Sequence, residues 1–172
     1  MPNQIEADHD SLMTGNWIHL FTDGAVKFDA GLAASRGMAC KQEGEWIVGF
    51  NLYLGLCTVF DAELWGVLDG ITLIHERGYQ KVMIHKDNLK VVKVIQDAYL
   101  TDSCSALLRR IHMSLQAIQH WKIKHVPRER NQVVDHLAKL ATIRSTNMKI
   151  FEDIPEELVP IFEIDRIANS RL

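Results

Sequence analysis

The hydrophobic pattern changes period several times along this chain, and each change marks an expected element. Trp17-Ile18-His19-Leu20-Phe21-Thr22 is a nearly continuous apolar run of the kind a buried strand shows. It leads onto Asp23 and then Gly24, a residue that can turn at no steric cost, and the strand is expected to reach about Lys27. Beyond the Asp29-Ala30-Gly31 break, residues 32–41 are rich in small side chains and read as a second strand. Glu43-Gly44-Glu45 then turns the chain into a third, Trp46 to Leu54. Three consecutive strands with short connections predict an antiparallel meander.

At Phe60 the period becomes helical. Leu64, Leu68 and Ile71 share a stripe, with Asp61 as the expected N-cap, Glu63 in the first turn and a stop at Gly78. Lys81 to His85 is a short strand running into Lys86-Asp87, and Asn88 is placed to cap a helix bearing Val91, Val92 and Ile95. A strand, helix, strand order implies a right-handed crossover, so this strand pairs in parallel with the first and sets Asp87 beside Asp23. Residues 102–119 read as another helix, and Trp121 to Val126 alternates as a fifth strand until Pro127. After the charged loop Arg128-Glu129-Arg130, Asn131 is expected to cap a last long helix with Val134, Leu137 and Ala141 inside and Asp135 facing out.

A length of 172 residues with 47% hydrophobic content suits one domain with a full core. The pattern divides the chain into a disordered lead over 1–15, a domain over 16–145, and an acidic tail or short helix over 146–172. No apolar run approaches the roughly 18 residues of a membrane span, and the acidic start lacks the apolar core of a secretory signal. A soluble intracellular protein is expected, nuclear and cytoplasmic locations both being open. Cys40, Cys57 and Cys104 are odd in number and lack CxxC spacing, which argues against a disulfide framework or a zinc site.

The net charge of −3 conceals an asymmetry. Residues 81–149 hold 13 Lys and Arg against 5 acids, a local excess of +8, and the remainder of the chain carries −11. Such segregation points to a polyanionic partner.

Thr22-Asp23-Gly24-Ala25, Gly44-Glu45-Trp46-Ile47-Val48-Gly49-Phe50, Ala62-Glu63-Leu64-Trp65, Asp87 before a helix, and His125-Val126-Pro127-Arg128-Glu129-Arg130-Asn131 leading to Asp135-His136-Leu137-Ala138 occur in this order. Together they resemble the ribonuclease H type 1 domain, in particular the plant branch associated with non-LTR retroelement reverse transcriptases. The resemblance implies an α/β ribonuclease H-like fold: a five-stranded mixed sheet, three antiparallel strands then two parallel, with helices on both faces. It also implies a hydrolase that cuts the RNA strand of RNA–DNA hybrids using two Mg2+ ions, for which Mn2+ can substitute. Asp23, Glu63, Asp87 and Asp135 would be the catalytic metal ligands and His125 a proton carrier.

Four converging carboxylates repel one another unless hard cations neutralise them, which agrees with that implication. A Lys86 ammonium inside the cluster would undercut it. Gly24, Ala25, Asn88 and Asn131 are the expected contacts to the hybrid's sugars, and Lys86, Lys90, Lys124, Arg128 and Arg130 the expected phosphate contacts. A monomer is expected, once joined to a reverse transcriptase domain. The rival expectation is a domesticated fold that binds nucleic acid or protein without cutting.

Overall fold

The computed structural model describes residues 16–27, 31–97, 105–137 and 148–170. The lead, Cys104, Ala141 and the start of the helix expected from residue 102 lie outside the described residues. Strands β1 (Ile18–Lys27), β2 (Leu32–Lys41) and β3 (Trp46–Leu56) form the antiparallel meander. Helix α1 (Val59–Glu76) leads to β4 (Lys81–Lys86), which pairs in parallel with β1, and α2 (Leu89–Asp97) and α3 (Ala106–Ala117) lead to β5 (His120–His125), parallel to β4. The fold is the expected ribonuclease H-like α/β architecture.

Among the described residues the sheet has six strands, not five, in the order β5-β4-β1-β2-β3-β6. The extra strand β6 (Lys149–Phe151) lies in the segment expected to be a tail, and it pairs antiparallel with β3 through Gly49, Phe50 and Asn51. Three residues are too few to show an alternating pattern, so their strand character comes from the β3 edge they cover.

Alternation along β1 builds two cores. Ile18 and Leu20 join Leu64, Val67, Ile71, Ile74, Ile84, Ile95 and Ile111 under α1, α2 and α3. Phe21 points the other way and joins Met38, Val133, Val134, Leu137, Leu158 and Phe162 under α4 (Gln132–Leu137) and α5 (Val159–Ser170). Helices therefore cover both faces.

Helix α1 starts three residues before the point expected. Its N-cap is Thr58, whose hydroxyl accepts from the Asp61 amide at 3.1 Å, so Asp61 is a first-turn residue and not the cap. Glu63 consequently lies one turn further in than expected, and packing rather than the helix dipole sets its position. Asn88 caps α2 as expected, its Oδ1 accepting from the Val91 amide at 3.2 Å.

Candidate active site

Gly24 fixes where the first two acids meet. It does not turn the chain, because β1 runs through it to Lys27. A Cβ at Gly24 would lie 2.4 Å from the Ala62 carbonyl carbon and the Glu63 amide nitrogen, so only glycine lets the start of α1 rest directly on β1. Glu63 is thereby held beside Asp23, and both are buried, at 4% exposure each.

The parallel β1–β4 pairing ends at Phe21 opposite His85, which carries the chain two residues later to Asp87. Asp23, Glu63 and Asp87 each offer a carboxylate oxygen, and the three oxygens lie within 4.8 Å of one another. Oxygen ligands at this spacing are what a hard divalent cation takes. Asp135 approaches from α4 on the second face; its side chain is 35% exposed, and burial, then the Asp23 charge, raise its pKa.

Two cations sit inside this cluster. Lys86 is fully buried; its Nζ donates to Glu63 Oε2 and to the Thr22 carbonyl at 3.0 Å. Arg36 is the cross-strand partner of Asp23 in the β1–β2 ladder, donates from Nη2 to Asp23 Oδ2 at 2.9 Å, and lies 3.6 Å from Asp135 Oδ1. The chain itself therefore supplies two positive charges against the four carboxylates. Burial pushes the Glu63 carboxyl up to about 7, with the Lys86 ammonium opposing that rise and Asp23 adding to it.

Arg36 was not among the residues singled out from the sequence. Its signal was the hairpin register, which sets it opposite Asp23 once the β1–β2 turn is fixed.

The expected nucleic-acid contacts divide by burial. Lys86 and Asn131 are at 0% and 1% exposure and cannot reach a phosphate or a sugar from where they lie, and Gly24 is covered by α1. Asn131 does not cap α4 either: it ends a single 3-10 turn, Arg128–Asn131, and its Nδ2 donates to the Thr22 carbonyl at 3.2 Å. It ties the turn before α4 to the strand that carries Asp23. Lys90, Lys124 and Arg128 are exposed, whereas Ala25, Asn88 and Arg130 are half-buried. His125, exposed at the end of β5, has its Nε2 3.1 Å from the Asp87 carbonyl oxygen, which places the ring at the rim of the cluster.

The reverse transcriptase-like family profile matches residues 21–141, a span running from β1 past α4 and taking in all four acids. The chain belongs to that family. Its domain is of the ribonuclease H kind. It is 32% identical over 157 residues to an Arabidopsis thaliana protein assigned as a ribonuclease H protein, an alignment covering 90% of this chain and 25% of that one. It is 25% identical over 129 residues to ribonuclease HI of Halobacterium salinarum, covering 74% of this chain and 65% of the relative. The chain thus spans about a quarter of the first relative and under two thirds of the second.

The crystal structure of ribonuclease H1 from Halobacterium salinarum superposes with a TM-score of 0.63 at 25% identity, over 70% of this chain and 93% of that one. A ribonuclease H1 isolated from compost and crystallised with an RNA/DNA hybrid gives a TM-score of 0.60 at 19% identity, over 70% of this chain and 92% of that one. At that identity the likeness is one of fold alone.

Proposed function

We propose that this chain hydrolyses the RNA strand of RNA–DNA hybrids with the help of magnesium. The observation that carries the reading is the convergence of Asp23, Glu63 and Asp87 within 4.8 Å, on the fold of a family whose relatives include ribonucleases H. The donor set fits a divalent cation, being all oxygen, mutually close and set at the end of the parallel strand pair. Asp23, Glu63 and Asp87 would hold it, with Asp135 at the flank. When bound, magnesium supplies Lewis-acid activation of the phosphodiester and of an attacking water.

The chain's own residues do the rest. Gly24 and Asn131 fix the two sides of Asp23, one by close packing with α1 and the other by its bond to Thr22. His125, exposed and with Nε2 against the Asp87 carbonyl, would carry a proton to or from the departing oxygen. Lys90, Lys124, Arg128 and Arg130 would hold the phosphate backbone.

A second reading, a nucleic-acid-binding fold that does not cut, is favoured by the Lys86–Glu63 pair, which engages one of the prospective ligands. Cleavage of an end-labelled hybrid, with magnesium and with chelator, separates the two. Metal-dependent cutting that Asp23→Asn abolishes is the expected result; hybrid binding without cutting would transfer the conclusion to the second reading.

A further inference from the structure

The cations inside the carboxylate cluster limit how much further positive charge it can accept. Ionised, Asp23, Glu63, Asp87 and Asp135 carry −4; Lys86 and Arg36 return +2 and leave −2. One divalent ion makes the group neutral, and two would leave it at +2 around Asp23, Glu63 and Lys86, which are buried and where repulsion is poorly screened.

Neither cation is held there by a flexible surface side chain alone. Lys86 lies in β4 with no exposed surface, anchored to the Thr22 carbonyl as well as to Glu63. Arg36 is set by strand register directly opposite Asp23, and its side chain is only 11% exposed. Their positions also differ in consequence. Asp23, Glu63 and Asp87 still converge with Lys86 in place, whereas Asp23 and Asp135 are bridged by the Arg36 guanidinium.

We propose that Arg36 fills the place between Asp23 and Asp135 that a second divalent ion would need, so that this site takes one divalent ion, at Asp23, Glu63 and Asp87. Lys86 lowers the affinity for that ion by offsetting charge at Glu63. The inference rests on the divalent-metal reading above and departs from the two ions that the family resemblance implies.

Calorimetric titration of the full chain with Mn2+, without nucleic acid and with bound ions counted by electron paramagnetic resonance, tests it. Wild type is expected to take one ion and Arg36→Gln two, and Lys86→Met is expected to bind the first ion at least about tenfold more tightly. Two ions or none on wild type would overturn the inference, as would a folded Arg36→Gln that still takes one. Circular dichroism reports folding; if Arg36→Gln is unfolded, the wild-type ion count and the Lys86→Met affinity still decide. Hybrid cleavage is scored separately. A chain that takes one ion and cuts nothing leaves the inference standing and removes the hydrolase reading, while one that cuts with two ions bound does the reverse.

Discussion

His85, buried, and His19, half-buried, form a pair whose protons can be assigned from their partners. Gln42 Oε1 lies 2.7 Å from His19 Nε2, so with that oxygen accepting, His19 Nε2 donates. The other nitrogen, His19 Nδ1, must then accept, and His85 Nε2 donates to it at 2.8 Å. His85 Nδ1 is left bare, buried and without a hydrogen-bond partner, with the ring stacked on Phe21 at 4.3 Å. A proton added to His19 Nδ1 breaks the pair. Burial accordingly lowers the His19 pKa below its ordinary 6.5; the Gln42 bond opposes the shift and Lys124 adds to it. The sign follows from linkage: below pH 6.5 the unfolded histidine takes up a proton that the folded one refuses. Stability contributed by His19 is therefore complete above 6.5 and is lost as the pH falls toward the lowered folded value. Urea denaturation just above and a unit below pH 6.5 should show wild type losing more stability than His19→Gln, which keeps an acceptor but does not titrate. Equal losses in the two proteins would show that this pair does not set the acid sensitivity.

Elements were legible in the sequence wherever a local period was enough. β1 through β5 and the three central helices follow from alternation or from a helical stripe, and the parallel placement of β4 beside β1 follows from the handedness of the crossover. What escaped depended on partners distant in sequence. β6 is a strand because β3 offers it an edge, and although a short helix is one of the two expectations for this segment, the packing of Phe162 of α5, and of Leu158 just before it, in one cluster with Phe21, Met38 and Trp46 has no local signal. The same holds for the cluster. Its acids ended elements and so stood out, and Lys86 stood out beside Asp87, but the burial that takes Lys86 inward and the register that brings Arg36 to Asp23 have no local signature. If residues 149–170 complete the second core and are not an appendage, Leu158→Ala, at a site 1% exposed, should cost about 2–4 kcal/mol in chemical denaturation. A cost within about 0.5 kcal/mol, typical of surface positions, would return the segment to the status of a tail.

At the scale of the whole molecule, the charge asymmetry now has a location. Ten of the 13 Lys and Arg of residues 81–149 lie on β4, α2, α3, β5 and the turn into α4, and β4, β5 and that turn lead into the acidic cluster. Burial removes Lys86 from any role in holding a polyanion, which leaves Lys90, Lys124 and Arg128 as exposed cations near the elements that bear Asp87 and Asp135. Arg128 acts on Asp135 directly, lowering its pKa against the effect of burial, so it also connects this surface to the site. Counterion release makes affinity for a duplex fall with salt in proportion to the phosphates neutralised, at a slope of about −0.9 for each. With three or four such contacts, hybrid binding measured in chelator should show a slope of about −2.7 to −3.6. Arg128→Ala should lower its magnitude by about one, whereas Lys86→Met should leave it unchanged because that ammonium releases no counterion on binding. A slope that shifts with Lys86→Met and not with Arg128→Ala would mean that Lys86 leaves Glu63 to meet the phosphate backbone, and the division between inner and outer cations would have to be redrawn.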